Sequence, residues 1–193
     1  MSANEANGGS GRIGPWRIVG WGGAAALLLT PLVAMQFTSE VDWSLADFVV
    51  MGAMMLAVGI PIELAVRASD SLAYRLGAAL ALITGFLLIW VDLAVGVIGN
   101  EDNPMNLMFF GVVALAVIGA VVAGGRPRGM AAAMLLAAFA QGTAAVTVLV
   151  TGWGAQEPPG LARLVMLISG FAVMWLLSAI LFDRAARARS LAG

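Results

Sequence analysis

Six apolar runs, separated by five short polar breaks, organise the sequence. The runs lie at about 18–37, 47–66, 73–98, 106–124, 130–151 and 161–183; the breaks read TSEVDWSLAD, RASDS, NEDNP, GGRPRG and GWGAQEPPG. Each run is long enough to cross a hydrocarbon core of roughly 30 Å at about 1.5 Å per residue. Backbone amides in lipid must be satisfied within their own segment, so the pattern predicts helices and not strands. The expected fold is all-α, a polytopic membrane protein with six transmembrane helices. Residues 1–14 are small, polar and glycine-rich and are expected to form a disordered N-terminal tail. A six-helix bundle is expected over 15–184, followed by a short basic cytoplasmic tail at 185–193. The first run is longer than a typical signal-peptide core, and Leu32 stands where cleavage after Ala34 would need a small residue. It is therefore read as a retained first helix.

Charge sets the expected orientation. Arg12, Arg17, Arg67, Arg75, Arg126, Arg128, Arg184, Arg187 and Arg189 fall on one side of the six spans, and only Arg163 on the other. By the positive-inside rule the arginine side is cytoplasmic, so both termini are expected inside. The opposite connections carry Glu40, Asp42, Asp47, Glu101, Asp102 and Glu157, an acidic outer face.

Composition then narrows the chemistry. The chain has 193 residues, is 61% hydrophobic and only 11% charged, which excludes an ordinary soluble domain at roughly 25% charged. It has no cysteine and no histidine. Disulfides, thiolate sites, iron–sulfur clusters and histidine-based acid–base or zinc catalysis are excluded together. No phosphate-binding loop or nucleophile elbow is present, so no catalytic residue, cofactor or metal site is expected. All ten basic residues are arginine, and with abundant alanine and glycine this points to a GC-rich bacterial genome and an inner-membrane location.

The densest polar information lies in Trp90-Val-Asp-Leu-Ala-Val-Gly-Val-Ile-Gly-Asn-Glu-Asp-Asn-Pro104, with Asn106 just beyond. Asp92 is expected about two turns inside the third helix, with Gly96 and Gly99 on nearly the same face to admit a neighbouring helix. An intramembrane carboxylate is expensive to ionise and is a functional-site hypothesis by default. One reading makes Asp92 a proton or cation site opening to the outer face, fed by Glu101 and Asp102. The other makes it a hydrogen-bonded lock within the bundle, with the NEDN run capping helices.

Residues 88–130 carry a resemblance. Trp90-Val91, Leu93-Ala94-Val95-Gly96, Ile98-Gly99, Glu101-Asp102-Asn103-Pro104 and Asn106-Leu107-Met108 resemble the central hairpin of an uncharacterised family of small bacterial multi-pass membrane proteins. The resemblance implies no activity. Asn often stands at the position of Asp92 in that family, which implies polar packing there and not an obligatory proton relay.

Other polar positions carry weaker signals. Glu63 and Arg67 are four residues apart and are expected to pair near the membrane interface, with Pro61 kinking the helix beside them. Gln141 and Thr143 are expected to bond across helices, Gln141 to Thr84, Asp92 or Ser169. Met51, Met54, Met55, Met105 and Met108 have helical face spacing; they either fill apolar gaps or offer soft thioethers to Cu(I). Gly52, Gly111 and Gly170 recur at a 59-residue interval, matching either three tandem hairpins or the shared length of three membrane crossings. The expected partners are the lipid bilayer and other membrane-protein subunits or further copies of the chain, with no nucleic acid. A non-catalytic accessory, assembly or regulatory component is the leading reading. A small proton- or cation-coupled transporter or channel acting as a homo-oligomer is the alternative.

Overall fold

The computed structural model describes residues 15–153 and 160–192; the expected tail at 1–14 and the acidic position Glu157 lie outside them. All regular structure among the described residues is helical: α1 (Pro15–Ala34), α2 (Leu45–Ala68), α3 (Leu72–Val95), α4 (Leu107–Ala123), α5 (Pro127–Thr151) and α6 (Leu161–Ala192). All six are long and apolar enough to cross a membrane, which makes this a multi-pass membrane protein.

The described residues divide into two compact units, one up to Gly59 and one from Ile60 onward. In the first unit, α2 starts with a reciprocal cap. The Ser44 N–H donates to Asp47 Oδ2 at 2.7 Å, and the Asp47 N–H donates back to Ser44 Oγ at 3.3 Å. The Trp21 ring lies against Gly59, where an added Cβ would come within 2.7 Å of it.

In the second unit α6 packs against both α3 and α5, and α4 packs against α5. Small residues let these backbones approach, which is what association in lipid requires. A Cβ on Gly119 would lie 2.6 Å from the Ala133 Cβ, and one on Gly129 would lie 2.8 Å from the Ala123 Cβ. Two apolar clusters fill the unit, one around Tyr74, Trp175 and Phe182, the other around Leu88, Phe109 and Ile168. Arg75 closes the α2–α3 turn, donating to the carbonyls of Ser69 at 2.7 Å and Val66 at 3.0 Å and to Asp70 at 3.1 Å. These bonds satisfy carbonyls left free at the end of α2.

Two boundaries differ from expectation. α3 stops at Val95, three residues early, because the chain turns at Gly96. α6 runs on to Ala192, so the expected tail at 185–193 is largely its last turns, with Ala185 and Ala186 buried. The 59-residue glycine interval marks no shared packing role, since added Cβ atoms at Gly111 and Gly170 would meet nothing.

Candidate functional site

The connection between α3 and α4 is built as a folded cap. Gly96 has φ +71°, and a Cβ there would sit 2.3 Å from the carbonyl carbon and oxygen of Asn100. Only glycine tolerates that combination of backbone conformation and close approach. Its N–H donates to the Asp92 carbonyl at 3.1 Å, closing α3. Gly99 also has positive φ, at +72°. Both glycines therefore shape a turn, which corrects the expectation that they form a helix-packing face.

Asp92 consequently sits in the last turn of α3 and not two turns inside it. It is 3% exposed, and its Oδ1 accepts the N–H of Val97 at 3.4 Å. Among the described residues no arginine forms an ion pair with it. The chain then buries two apolar residues outside any helix: Val97 is 2% and Ile98 1% exposed, joined to Leu88, Phe109, Val148 and Leu164.

Burying this loop requires partners for its backbone groups, and Asn106 supplies most of them. Its Oδ1 accepts the Ile98 N–H at 2.8 Å, while its Nδ2 donates to the Asn100 carbonyl at 2.7 Å and the Ile98 carbonyl at 3.4 Å. Only one orientation of the amide satisfies both the N–H and the carbonyls. Asn103 caps the short 3-10 turn Pro104–Asn106 by accepting the Met105 N–H at 3.0 Å. In the sequence Asn106 lies just past the polar run that ends at Pro104. The available signal was an amide side chain at the threshold of an apolar helix, where it can cap or turn back.

The Asn103 N–H donates to the Asn100 carbonyl at 3.2 Å, and the turn so formed holds Glu101 and Asp102 outward, both exposed. The three carboxylates proposed as one ion path are thus split between a buried cap and a turn tip. Among the described residues, no group of three acids is placed to hold a metal ion. Met105 and Met108 pack against the apolar cluster around Phe109.

The remaining candidates lie elsewhere. Glu63 Oε2 lies 3.4 Å from Arg67 Nη2, the expected pair, with the Glu63 side chain mostly buried. α2 runs unbroken through Pro61. Thr143 is exposed and its hydroxyl donates to the Phe139 carbonyl of its own helix at 2.9 Å, so it does not bond across helices as expected. Thr147 and Thr151 repeat that bond four residues apart. Gln141 is fully buried and does cross helices, but to a backbone group. Its Nε2 donates to the Ile168 carbonyl at 3.4 Å, and not to Thr84, Asp92 or Ser169. Its Oε1 and the Nε1 of buried Trp175 have no hydrogen-bond partner. Thr84 is spent on the Leu80 carbonyl of α3 at 2.6 Å. Ser178, which the sequence reading passed over, joins α6 to α3 through the Gly77 carbonyl at 2.8 Å.

Chemically, the cap can hold a backbone in place: Asp92 accepts the Val97 N–H and Asn106 the Ile98 N–H. Comparison with family models, curated proteins and solved structures finds no match for this chain.

Proposed function

We propose that the chain is a non-catalytic accessory, assembly or regulatory component of a bacterial inner membrane, with both termini in the cytoplasm. One observation carries this reading. The most suggestive carboxylate, Asp92, accepts a backbone N–H inside an apolar cap, while Glu101 and Asp102 stand outside it. α1 supports a subunit role, because its apolar window is long enough to cross a membrane and none of it is fully buried. The nine arginines on one side support the orientation. The test is purification of the tagged full-length chain from its native membrane in a gentle detergent, with the particle mass and copurifying proteins determined. A stoichiometric hetero-complex is expected. A particle made only of this chain would contradict the reading.

The second reading is a proton- or cation-coupled transporter with Asp92 as its ion site. It is favoured by the near-complete burial of that carboxylate without an arginine partner. Reconstituted flux separates the two. A transporter loses flux in Asp92→Asn, whereas a structural cap has no flux to lose.

A further inference from the structure

Arginines collect where α4 turns into α5 and where α6 ends. Arg126 and Arg128 flank the first turn of α5 and are exposed; Arg184, Arg187 and Arg189 are exposed on the last turns of α6. Three of the arginines on this side are already engaged: Arg67 by Glu63, Arg75 by Asp70 and two carbonyls, and Arg187 by Asp183 at 2.8 Å. Arg126, Arg128, Arg184 and Arg189 form no ion pair among the described residues.

Tyr74 ties the two arginine groups together. Its hydroxyl donates to the Gly125 carbonyl at 3.1 Å, next to Arg126, and its ring stands edge-on to Phe182 of α6 with centroids 5.1 Å apart. Arg189 lies within electrostatic reach of the same hydroxyl.

The α6 extension is not a loose tail. The helix has 32 residues, about 48 Å at 1.5 Å per residue, against a hydrocarbon core of roughly 30 Å. Beyond the core it stays packed, with Ala185 and Ala186 only 3% and 7% exposed and Ala185 joined to Tyr74 and Phe182. Arg126, Arg128 and Arg189 are therefore carried on packed backbone, and none of them forms an ion pair among the described residues. Arg126 makes no side-chain cap bond at the start of α5, so the positive end of that helix faces the same place.

We propose that the α4–α5 turn and the docked end of α6 form a binding site for an anionic phospholipid headgroup, its phosphate taken by Arg126 and Arg128 on one side and Arg189 on the other. Guanidinium forks suit phosphate oxygens, and a lipid carrying net negative charge is favoured over a zwitterionic one. The site stands apart from Asp92 and does not depend on the accessory role proposed above; it requires only that the chain spans a membrane.

The test uses the full-length protein in a neutral detergent. Thermal unfolding and native mass spectrometry are followed while phosphatidylglycerol, phosphatidylcholine or inorganic phosphate is added. Phosphatidylglycerol should raise the unfolding temperature and stay bound in the gas phase, and the other two should do neither. R126Q/R128Q should weaken phosphatidylglycerol binding about 25-fold and R189Q about fivefold, at about fivefold per arginine. R163Q, at the opposite ends of the helices, should bind like wild type. R126K/R128K keeps the charges but not the guanidinium forks and should bind phosphatidylglycerol more weakly than wild type and more tightly than R126Q/R128Q. Equal shifts with phosphatidylcholine would overturn the proposal, as would full replacement by inorganic phosphate. Wild-type binding in R126Q/R128Q and in R189Q would do the same.

Discussion

α1 and α5 are both apolar enough to cross a membrane, yet they are used in opposite ways. None of the apolar window of α1 is buried by protein, whereas 39% of that of α5 is. Hydrophobicity cannot explain the difference, because a leucine is as well solvated by lipid tails as by another helix. Glycine content does not explain it either. Gly20, Gly22 and Gly23 of α1 face open space, while Gly119 and Gly129 hold α4 and α5 at contact distance. What separates the two regions is complementary small residues on both partners together with polar groups satisfied across the crossing. Ser178 with Gly77 and Gln141 with Ile168 are two such bonds.

The largest effect should come from the cap that closes one end of the packed region. Asn106→Ala leaves the buried Ile98 N–H without its acceptor and the Asn100 carbonyl without its donor. A loss of about 3 kcal/mol is expected, read as a lowered unfolding midpoint in detergent.

Next is a direct contrast of glycines. Gly119→Val should destabilise by about 2 kcal/mol, since its Cβ alone would meet Ala133 at 2.6 Å. Gly22→Val in α1 should cost less than about 0.5 kcal/mol in the same assay. Equal costs would erase the distinction between the two regions.

Arg75→Ala should cost about 1 kcal/mol by removing the bonds to the last carbonyls of α2. Asp92→Asn should also have a small effect. The amide oxygen can still accept the Val97 N–H, so the change should stay within about 1 kcal/mol. Asp92→Leu removes the acceptor and should cost more than the asparagine variant.

Much of this architecture is legible in the sequence. Polar breaks such as RASDS and GGRPRG coincide with the ends of helices, and the apolar lengths between them specify spans. The errors have physical causes. Val97 and Ile98 read as the continuation of α3 because they are apolar, but they are buried in a turn that Gly96 initiates. Asn106 and Gln141 were hard to assign because their partners are backbone groups, which every residue possesses and no sequence marks. The burial contrast between α1 and α5 is invisible for a related reason. On α5 the threonines Thr143, Thr147 and Thr151 line up at helical spacing while Gln141 is buried, so polarity does not mark which side is packed.

The most direct test is amide hydrogen exchange over residues 96–106 in the reconstituted protein, comparing wild type, Asp92→Asn and Asn106→Ala. If the connection is a closed structural cap, Val97 and Ile98 exchange slowly in the wild type, remain slow in Asp92→Asn and become fast in Asn106→Ala. Fast exchange at Val97 and Ile98 in the wild type would contradict this account, because it would show water reaching Asp92 as an ion pathway requires.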